Sequence, residues 1–214
     1  MIFLIRLLFW ILLICFSLVN RVQAKEKKVS IKEQKNWTLE KLEEYQKSQK
    51  NENQFYGLGE ILEKAHQLRN WDKVAYYAHV YLTEAEKYKK NWNYGNAIFD
   101  SNMALSEMAY IKGDKVTARN HLIKASQTPG SPQLDSFGPF NANFLNKYLL
   151  LLAKEGEKES LIQFAQNCKN FVSKKSQKNE NQESQIVQWN LNSIDRFIEQ
   201  VRGDKIPDFK TPAR

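Results

Sequence analysis

GDKVTARNHLIKA, residues 113–125, is the stretch that decides the fold, because the chain contains two more stretches like it. NWDKVAYYAHVYL begins at Asn70 and GEKESLIQFAQNC begins at Gly156, so that the three starts lie 43 residues apart. Each stretch has a helix-breaking residue, then a charged pair, then apolar residues at helical spacing. Similarity at a fixed period of this length is typical of repeat architectures.

A second helical pattern precedes each stretch, so the repeating unit is predicted to be a hairpin of two helices. The first helices are expected within residues 55–69, 92–112 and 141–155. Runs of β-branched residues are absent, which disfavours strands. A last helix is expected at residues 185–202, where apolar residues alternate steps of four and three: Val187, Leu191, Ile194, Ile198 and Val201. The sequence therefore predicts an all-α fold.

The middle unit resembles a tetratricopeptide repeat. Counted from Gly113, Ala118, Leu122 and Ala125 match the small, large and small positions at which the second helix packs on the first, and Leu105 matches the large apolar position of the first helix. Small side chains are needed where two helices cross closely, and a large one fills the adjoining gap. The resemblance implies a solenoid of helical hairpins.

The other two units follow this pattern less closely. His79 and Leu82 depart from it in the first unit, and Leu161 replaces the small residue in the third. The period also exceeds the usual length of about 34 residues. We therefore expect a divergent tetratricopeptide-like solenoid of about three repeats, closed by a C-terminal capping helix.

TPGSPQLDSFGP, residues 128–139, joins the second unit to the third and is predicted to be a stiff connector. Proline presets one backbone dihedral of a turn and glycine accepts a positive φ. Six residues are assigned this structural role: Pro129, Gly130, Pro132, Phe137, Gly138 and Pro139. The polar Gln133, Asp135 and Ser136 either face a partner from this rigid loop or bond to backbone groups inside it.

The C-terminal half resembles a family of bacterial tetratricopeptide-like proteins that has no assigned activity. The resemblance covers residues 97–209 and depends on three features in order: the TPGSPQLDSFGP loop, a helical hairpin ending in Cys168 and aromatic residues, and a KIPDF element at 205–209. The chain departs from the family in Phe140, in a polar linker and in its FKTPAR end. The resemblance implies fold and kinship only.

The N-terminal segment 1–24 has the pattern of a secretory signal peptide: an early cation, Arg6, an apolar run, and small residues before a cleavage site after Ala24. The full chain has a net charge of +8, and loss of Arg6 and Arg21 leaves +6. The sequence thus predicts a periplasmic or secreted protein. The alternative is that the segment is retained as an anchor in the inner membrane.

The remaining boundaries follow from composition. Residues 25–54 are predicted to be a charged helix or linker, 55–172 the helical repeat domain, 173–184 a polar linker, and 185–214 the capping helix and tail.

The sequence lacks a constellation of residues that carries chemistry. His66, His79 and His121 lie on different predicted helices, and Cys168 is the one cysteine after residue 24, so neither a metal site nor a cofactor is expected. Motifs of hydrolases and of phosphate-binding loops are absent as well. We expect a protein that is not an enzyme and does not bind nucleic acid. The alternative is an envelope enzyme with a site at residues 128–139.

Tyrosines in the first unit are the best lead to function. Tyr77, Tyr81 and Tyr88 are spaced as on one helix face, and such a stripe either packs in the core or lines a groove that recognises peptides. We predict partner binding by these three tyrosines together with Gln133, Asp135 and Ser136. The expected function is an exported scaffold for a protein or peptide partner, and the second alternative is a membrane-tethered structural protein.

Overall fold

The structure, a computed structural model, describes residues 34, 36–127, 144–176, 184–205 and 207. By their internal contacts the residues divide into two units, 1–38 and 39–214. In the part of the first unit that is described, the Trp37 amide donates to the Gln34 carbonyl at 2.9 Å in a turn. All of the helices below belong to the second unit.

The described part of the second unit is helical and contains no strand, which confirms the predicted all-α fold. The helices are α1 Leu39–Ser48, α2 Asn51–Gln67, α3 Trp71–Ala85, α4 Tyr94–Ile111, α5 Lys115–Gln127, α6 Phe144–Lys154, α7 Lys158–Ser176 and α8 Ser184–Arg202, with a 3₁₀ turn at Glu86–Tyr88 after α3. None of these helices combines the length and the apolar character that crossing a membrane requires.

Three helical hairpins are formed by α2 with α3, α4 with α5, and α6 with α7. The chain neighbours α1 and α2, α3 and α4, and α7 and α8 also pack together. Further contacts join α2 with α4, α4 with α6, α2 with α6, and α5 with α7, so the first helices of successive hairpins meet, as do the second helices of the last two hairpins. As a result α4 is buried on nearly all sides, and both apolar and polar side chains of α4 are buried.

Four helices end in the same turn, which is what makes the hairpins alike. A residue with positive φ follows each of α2, α4, α6 and α8: Arg69 (54°), Gly113 (81°), Gly156 (77°) and Asp204 (57°). In each turn the next amide donates to the carbonyl five residues earlier: Asn70 to Ala65, Asp114 to Ala109, Glu157 to Leu152 and Lys205 to Gln200. These bonds satisfy carbonyl groups that the end of a helix leaves without partners.

The turns correct the register expected for the first hairpin. Sequence alignment set Asn70 opposite Gly113, but Arg69 occupies the position of Gly113. Asn70 instead caps α3, since its side chain accepts from the Lys73 amide at 3.2 Å, as Asp114 accepts from the Thr117 amide at 2.9 Å in α5. The alignment was wrong because it relied on residue type. Glycine takes the left-handed conformation in two of the turns, but in the first turn arginine takes it and is held there by the same hydrogen bonds.

The corrected register explains the apparent departures in the first hairpin. Three positions of each second helix are buried: Val74, Ala78 and Tyr81 in α3, Ala118, Leu122 and Ala125 in α5, and Leu161, Ala165 and Cys168 in α7. His79 is exposed and Leu82 only partly buried, so neither residue holds a packing position. Burial raises the pKa of the Cys168 thiol, which lies on the apolar face that the sequence predicted for it.

Polar contacts between neighbouring hairpins join residues whose separation is close to the 43-residue period. They join residues 41 or 42 apart: His66 with Glu107 at 2.6 Å, Ser106 with Tyr148 at 2.7 Å, Ser126 with Asn167 at 2.9 Å, and Lys115 with Glu157 at 2.8 Å. Similar faces of successive hairpins therefore meet in similar ways.

Three boundaries differ clearly from those expected from the sequence. The first helix expected within 55–69 begins at Asn51, inside the segment predicted to be a charged helix or linker. The predicted first helix at 92–112 begins at Tyr94, so that Trp92 lies in the connection before α4. Helix α7 continues through Ser176, into the segment predicted as a polar linker from residue 173. Polar side chains at a helix end stay solvated, so composition alone does not mark where such a helix stops.

The turn register predicts opposite effects for two neighbouring glycine substitutions. Arg69→Gly should raise the free energy of unfolding by roughly 0.5–1 kcal/mol, because glycine takes a positive φ without steric cost. Asn70→Gly should lower it by a few tenths of a kcal/mol, because the cap of α3 is lost. Urea unfolding followed by circular dichroism measures both, and the reverse pair of signs would place the turn one residue later.

Candidate functional site

The connector at 128–139 lies outside the described residues. The partner-binding role predicted for Gln133, Asp135 and Ser136 therefore stays a prediction. The same holds for the structural role predicted for Pro129, Gly130, Pro132, Phe137, Gly138 and Pro139.

Tyr81 lies in the core, where a partner has no access to it. Its side chain is 2% exposed, packs 5.3 Å from the Phe55 ring, and accepts a hydrogen bond from the Asn93 amide group at 2.8 Å. A Cβ at position 59 would lie 3.1 Å from the Tyr81 hydroxyl, so Gly59 is what lets α2 approach α3 this closely. The prediction that Tyr81 presents a binding surface is corrected by this burial.

Tyr77 ties α1 to α3. Its hydroxyl donates to Glu43 of α1 at 2.8 Å, and Lys73 pairs with the same carboxylate. Burial is the largest influence on the Glu43 carboxyl and raises its pKa, but the bonds from Lys73 and Tyr77 outweigh it, and the pKa is lowered. The position of Tyr77 is thus accounted for by a structural contact.

Tyr88 does not share a helix face with the other two tyrosines, because α3 ends at Ala85 and Tyr88 closes the following 3₁₀ turn. Its ring stacks on the buried Phe55 ring, with centroids 4.9 Å apart and an angle of 19° between planes. This turn directs Tyr88 toward an open cleft, which is the candidate site.

The aromatic cleft lies between the beginning of α2 and the connection from α3 to α4. It encloses about 900 Å³, within the range of ligand pockets. Its lining consists of Glu52, Tyr56, Glu86, Lys87, Tyr88, Lys89, Lys90, Asn91 and Trp92. Aromatic and charged side chains thus share one concave space.

Asn91 fixes the connection against α2. Its side-chain amide donates to the Tyr56 hydroxyl at 2.7 Å, and its side-chain oxygen accepts from the Asn93 amide at 2.8 Å. The Tyr56 hydroxyl in turn donates to Glu52 at 3.3 Å. Because both ends of the Asn91 side chain are bonded, the wall of the cleft is held in one geometry.

Trp92 is the most exposed aromatic residue of the cleft. Its side chain is 65% exposed, although its ring lies 5.7 Å from that of Tyr56. Tyr56 packs against Phe55, with ring centroids 5.9 Å apart, and Phe55 is 1% exposed. The exposed ring is therefore connected to the core through two aromatic contacts.

Lysines form one rim of the cleft. Lys87 pairs with Glu84 at 2.6 Å and Lys89 with Glu86 at 2.7 Å, each three residues along the chain. The hydrogen bond that Lys89 donates to Glu86 raises the pKa of Lys89. Lys90 has no ion pair among the described residues. Exposed pairs of this kind contribute little energy, so all three ammonium groups are accessible to a ligand.

A second group of polar residues lies in and beside α4. His66 of α2 meets Glu107 at 2.6 Å, with both side chains nearly buried. His121 of α5 lies 2.9 Å from the Asn102 oxygen, and burial, the charge of Lys124 and the nearby His79 lower its pKa. The first contact joins two hairpins and the second lies within one, and both imidazole groups are engaged in the protein.

Asp100 on α4 is a titratable group with strongly altered acidity. Burial, and then the charge of Glu63 on α2, raise the pKa of its carboxyl to about 7. Asp100 also contributes to a raised pKa of Tyr81. Among the described residues, no three or more His, Cys, Asp or Glu side chains are grouped as a metal site requires.

No protein-family model, no curated protein and no solved structure matches the chain.

Sequence reasoning found part of this site. It assigned partner binding to Tyr88 alone of the cleft residues. It missed Tyr56, which lies four residues after Glu52 on α2 and far along the chain from Trp92. The signal that was available is the stretch EKYKKNW at 86–92, where aromatic and basic residues alternate in a connection.

Asp100 predicts a pH dependence of stability. Since its pKa of about 7 in the folded protein lies above the ordinary value of 3.8, folding is favoured by the protonated form. The contribution of Asp100 to the free energy of unfolding should be fully present below about pH 4 and should be lost as the pH rises to 7. The loss should be on the order of 1–3 kcal/mol after allowance for solvent contact. Asp100→Asn should remove this fall.

Denaturation at a series of pH values measures the effect, with Asp72→Asn at an exposed position of α3 as the matched control. The control should keep the wild-type profile. A profile of Asp100→Asn that still falls between pH 4 and 7 would contradict the assignment.

Proposed function

We propose that this chain is a tetratricopeptide-like interaction scaffold that binds a peptide, or an extended segment of a protein, in the aromatic cleft. The observation that carries the proposal is Trp92, a tryptophan that is 65% exposed and lies against Tyr56 in a concave space of about 900 Å³. Exposing so large an apolar ring to water is unfavourable, and tryptophan and tyrosine are the residues that most often dominate interface energies.

The architecture supports a scaffold of this class. Successive hairpins share one turn geometry and meet through contacts between residues whose separation is close to the period of the sequence. Repeat proteins of stacked hairpins offer long surfaces on a frame that needs no catalytic residues. In this proposal, the connection from α3 to α4 supplies the surface.

Rigidity also favours binding at the cleft. Asn91 is bonded at both ends of its side chain, and Tyr88 is stacked on Phe55 in the core. Side chains that are already ordered lose little conformational entropy when a partner binds. An extended peptide would place one side chain against Trp92 and Tyr56 and its neighbours along the lysine rim.

The proposal keeps the predicted location and class. The chain is exported as a periplasmic or secreted protein after cleavage behind Ala24, acts without catalysis or a cofactor, and has a protein or peptide as its partner. The signal-like pattern of residues 1–24 supports export.

Selection from a library of random linear peptides tests the binding proposal. The mature protein should enrich peptides that bind in solution by fluorescence anisotropy, and Trp92→Ala should lose at least roughly ten-fold in affinity, because the anchor contact disappears. Tyr76→Ala is the matched control, since Tyr76 is another exposed aromatic residue, 60% exposed, outside the lining of the cleft.

Both variants should keep the melting temperature of the wild type, because both side chains are mostly in solvent. Failure to enrich any peptide, or equal losses in the two variants, would contradict peptide binding at the cleft.

Export predicts a specific N-terminus. The protein recovered from the envelope fraction or medium of its own cells should begin at Lys25, because the signal pattern ends at Ala24. Ala24→Arg should block cleavage, since a small residue is needed at that position. Intact-mass measurement checks both, and an intact chain beginning at Met1 in the wild type would favour the anchored alternative.

A further inference from the structure

The cleft carries information about the chemistry of its partner, and this inference rests on the proposed function. We propose that the aromatic cleft selects peptides in which acidic residues flank an aromatic residue. The aromatic side chain lies against Trp92 and Tyr56, and the flanking carboxylates meet the lysine rim.

The balance of charge in the lining favours an anionic ligand. Three ammonium groups, Lys87, Lys89 and Lys90, face two carboxylates, Glu52 and Glu86. One of these carboxylates is engaged in the wall, because Glu52 accepts from the Tyr56 hydroxyl. The other, Glu86, is paired with Lys89 at 2.7 Å. Lys87 is paired as well, with Glu84 outside the lining. The lining itself therefore carries one more ammonium group than carboxylate groups, and Lys90 is its lysine without an ion pair among the described residues.

The pairs within the rim are suited to exchange. Lys87 and Lys89 are each 62% exposed at the side chain and bond to a glutamate on the same turn. Such exposed pairs at a spacing of three residues contribute little, so the lysines can turn to a partner's carboxylates at small cost. Lys90 has no ion pair among the described residues and supplies a third contact directly.

Trp92 and Tyr56 form the aromatic floor of the cleft, and because of this floor a ligand needs more than charge to bind well. Trp92 and Tyr56 lie 5.7 Å apart at an angle of 30°, which leaves the exposed face of Trp92 open to a further ring. Offset or tilted packing of a third ring is favourable and removes more apolar surface from water. A cationic ligand would also find the rings, but the lysine rim would repel it.

Four labelled heptapeptides of equal length separate these contributions in fluorescence anisotropy titrations of the mature protein. GDEFEDG carries the proposed features, GNQFQNG lacks charge, GKKFKKG reverses the charge, and GDEAEDG lacks the ring. The expected order puts GDEFEDG roughly ten-fold tighter than GNQFQNG and GDEAEDG, with GKKFKKG weakest. Added salt should weaken binding of GDEFEDG more than that of GNQFQNG.

Charge-reversal variants of the protein provide the experiment that complements the peptide series. Lys87→Glu with Lys90→Glu should invert the order of affinity for the acidic and basic peptides. Lys112→Glu with Lys124→Glu changes the net charge by the same amount outside the cleft and should keep the wild-type order of affinity. These exposed positions leave folding intact, which circular dichroism checks.

The outcomes distinguish this inference from the proposed function. Equal binding of GDEFEDG and GNQFQNG, or preference for GKKFKKG, overturns the selection for acidic peptides while peptide binding stands. Equal binding of GDEFEDG and GDEAEDG overturns the aromatic anchor. If none of the four binds while library-selected peptides do, the acidic preference is also overturned. If no peptide of either origin binds, both proposals are wrong.

Discussion

The structure depends on one backbone constraint, a residue held at positive φ directly after the first helix of each hairpin. Arg69, Gly113 and Gly156 take this conformation, and the amide that follows each of them closes the turn. The turn ends one helix directly before the next begins, so the two helices fold back and pack on each other. Asp204 ends α8 in the same way, although no second helix follows among the described residues.

Packing and site both follow from this arrangement. Because the first helices of successive hairpins meet, α4 is enclosed by its neighbours. Two of its buried polar residues find partners in other helices, Glu107 in His66 and Ser106 in Tyr148. The connection at 86–93 lies outside this regular packing. Its rings are anchored through Phe55, and its charged groups stay in solvent. The proposed binding site lies in this connection, where the packing between hairpins does not constrain the residue types.

Much of the fold could be predicted from the sequence, because apolar spacing and helix-stopping residues are local signals. The register of the first hairpin could not, since the conformation of Arg69 is set by hydrogen bonds and has no signature in the residue type. The site was harder still. The spacing of Tyr77, Tyr81 and Tyr88 suggests one face, yet a 3₁₀ turn separates Tyr88 from the other two, and burial of Tyr81 depends on Gly59 in another helix.

The shared turn is the central claim, and the sign of φ at Arg69 tests it most directly. Nuclear magnetic resonance of the folded mature protein, with couplings and chemical shifts that report φ residue by residue, supplies the measurement. The account predicts a positive φ at Arg69 that matches those of Gly113 and Gly156, with Asn70 at negative φ. A helical φ at Arg69 with a positive φ at Asn70 would contradict it, and would return the first hairpin to the register of the sequence alignment.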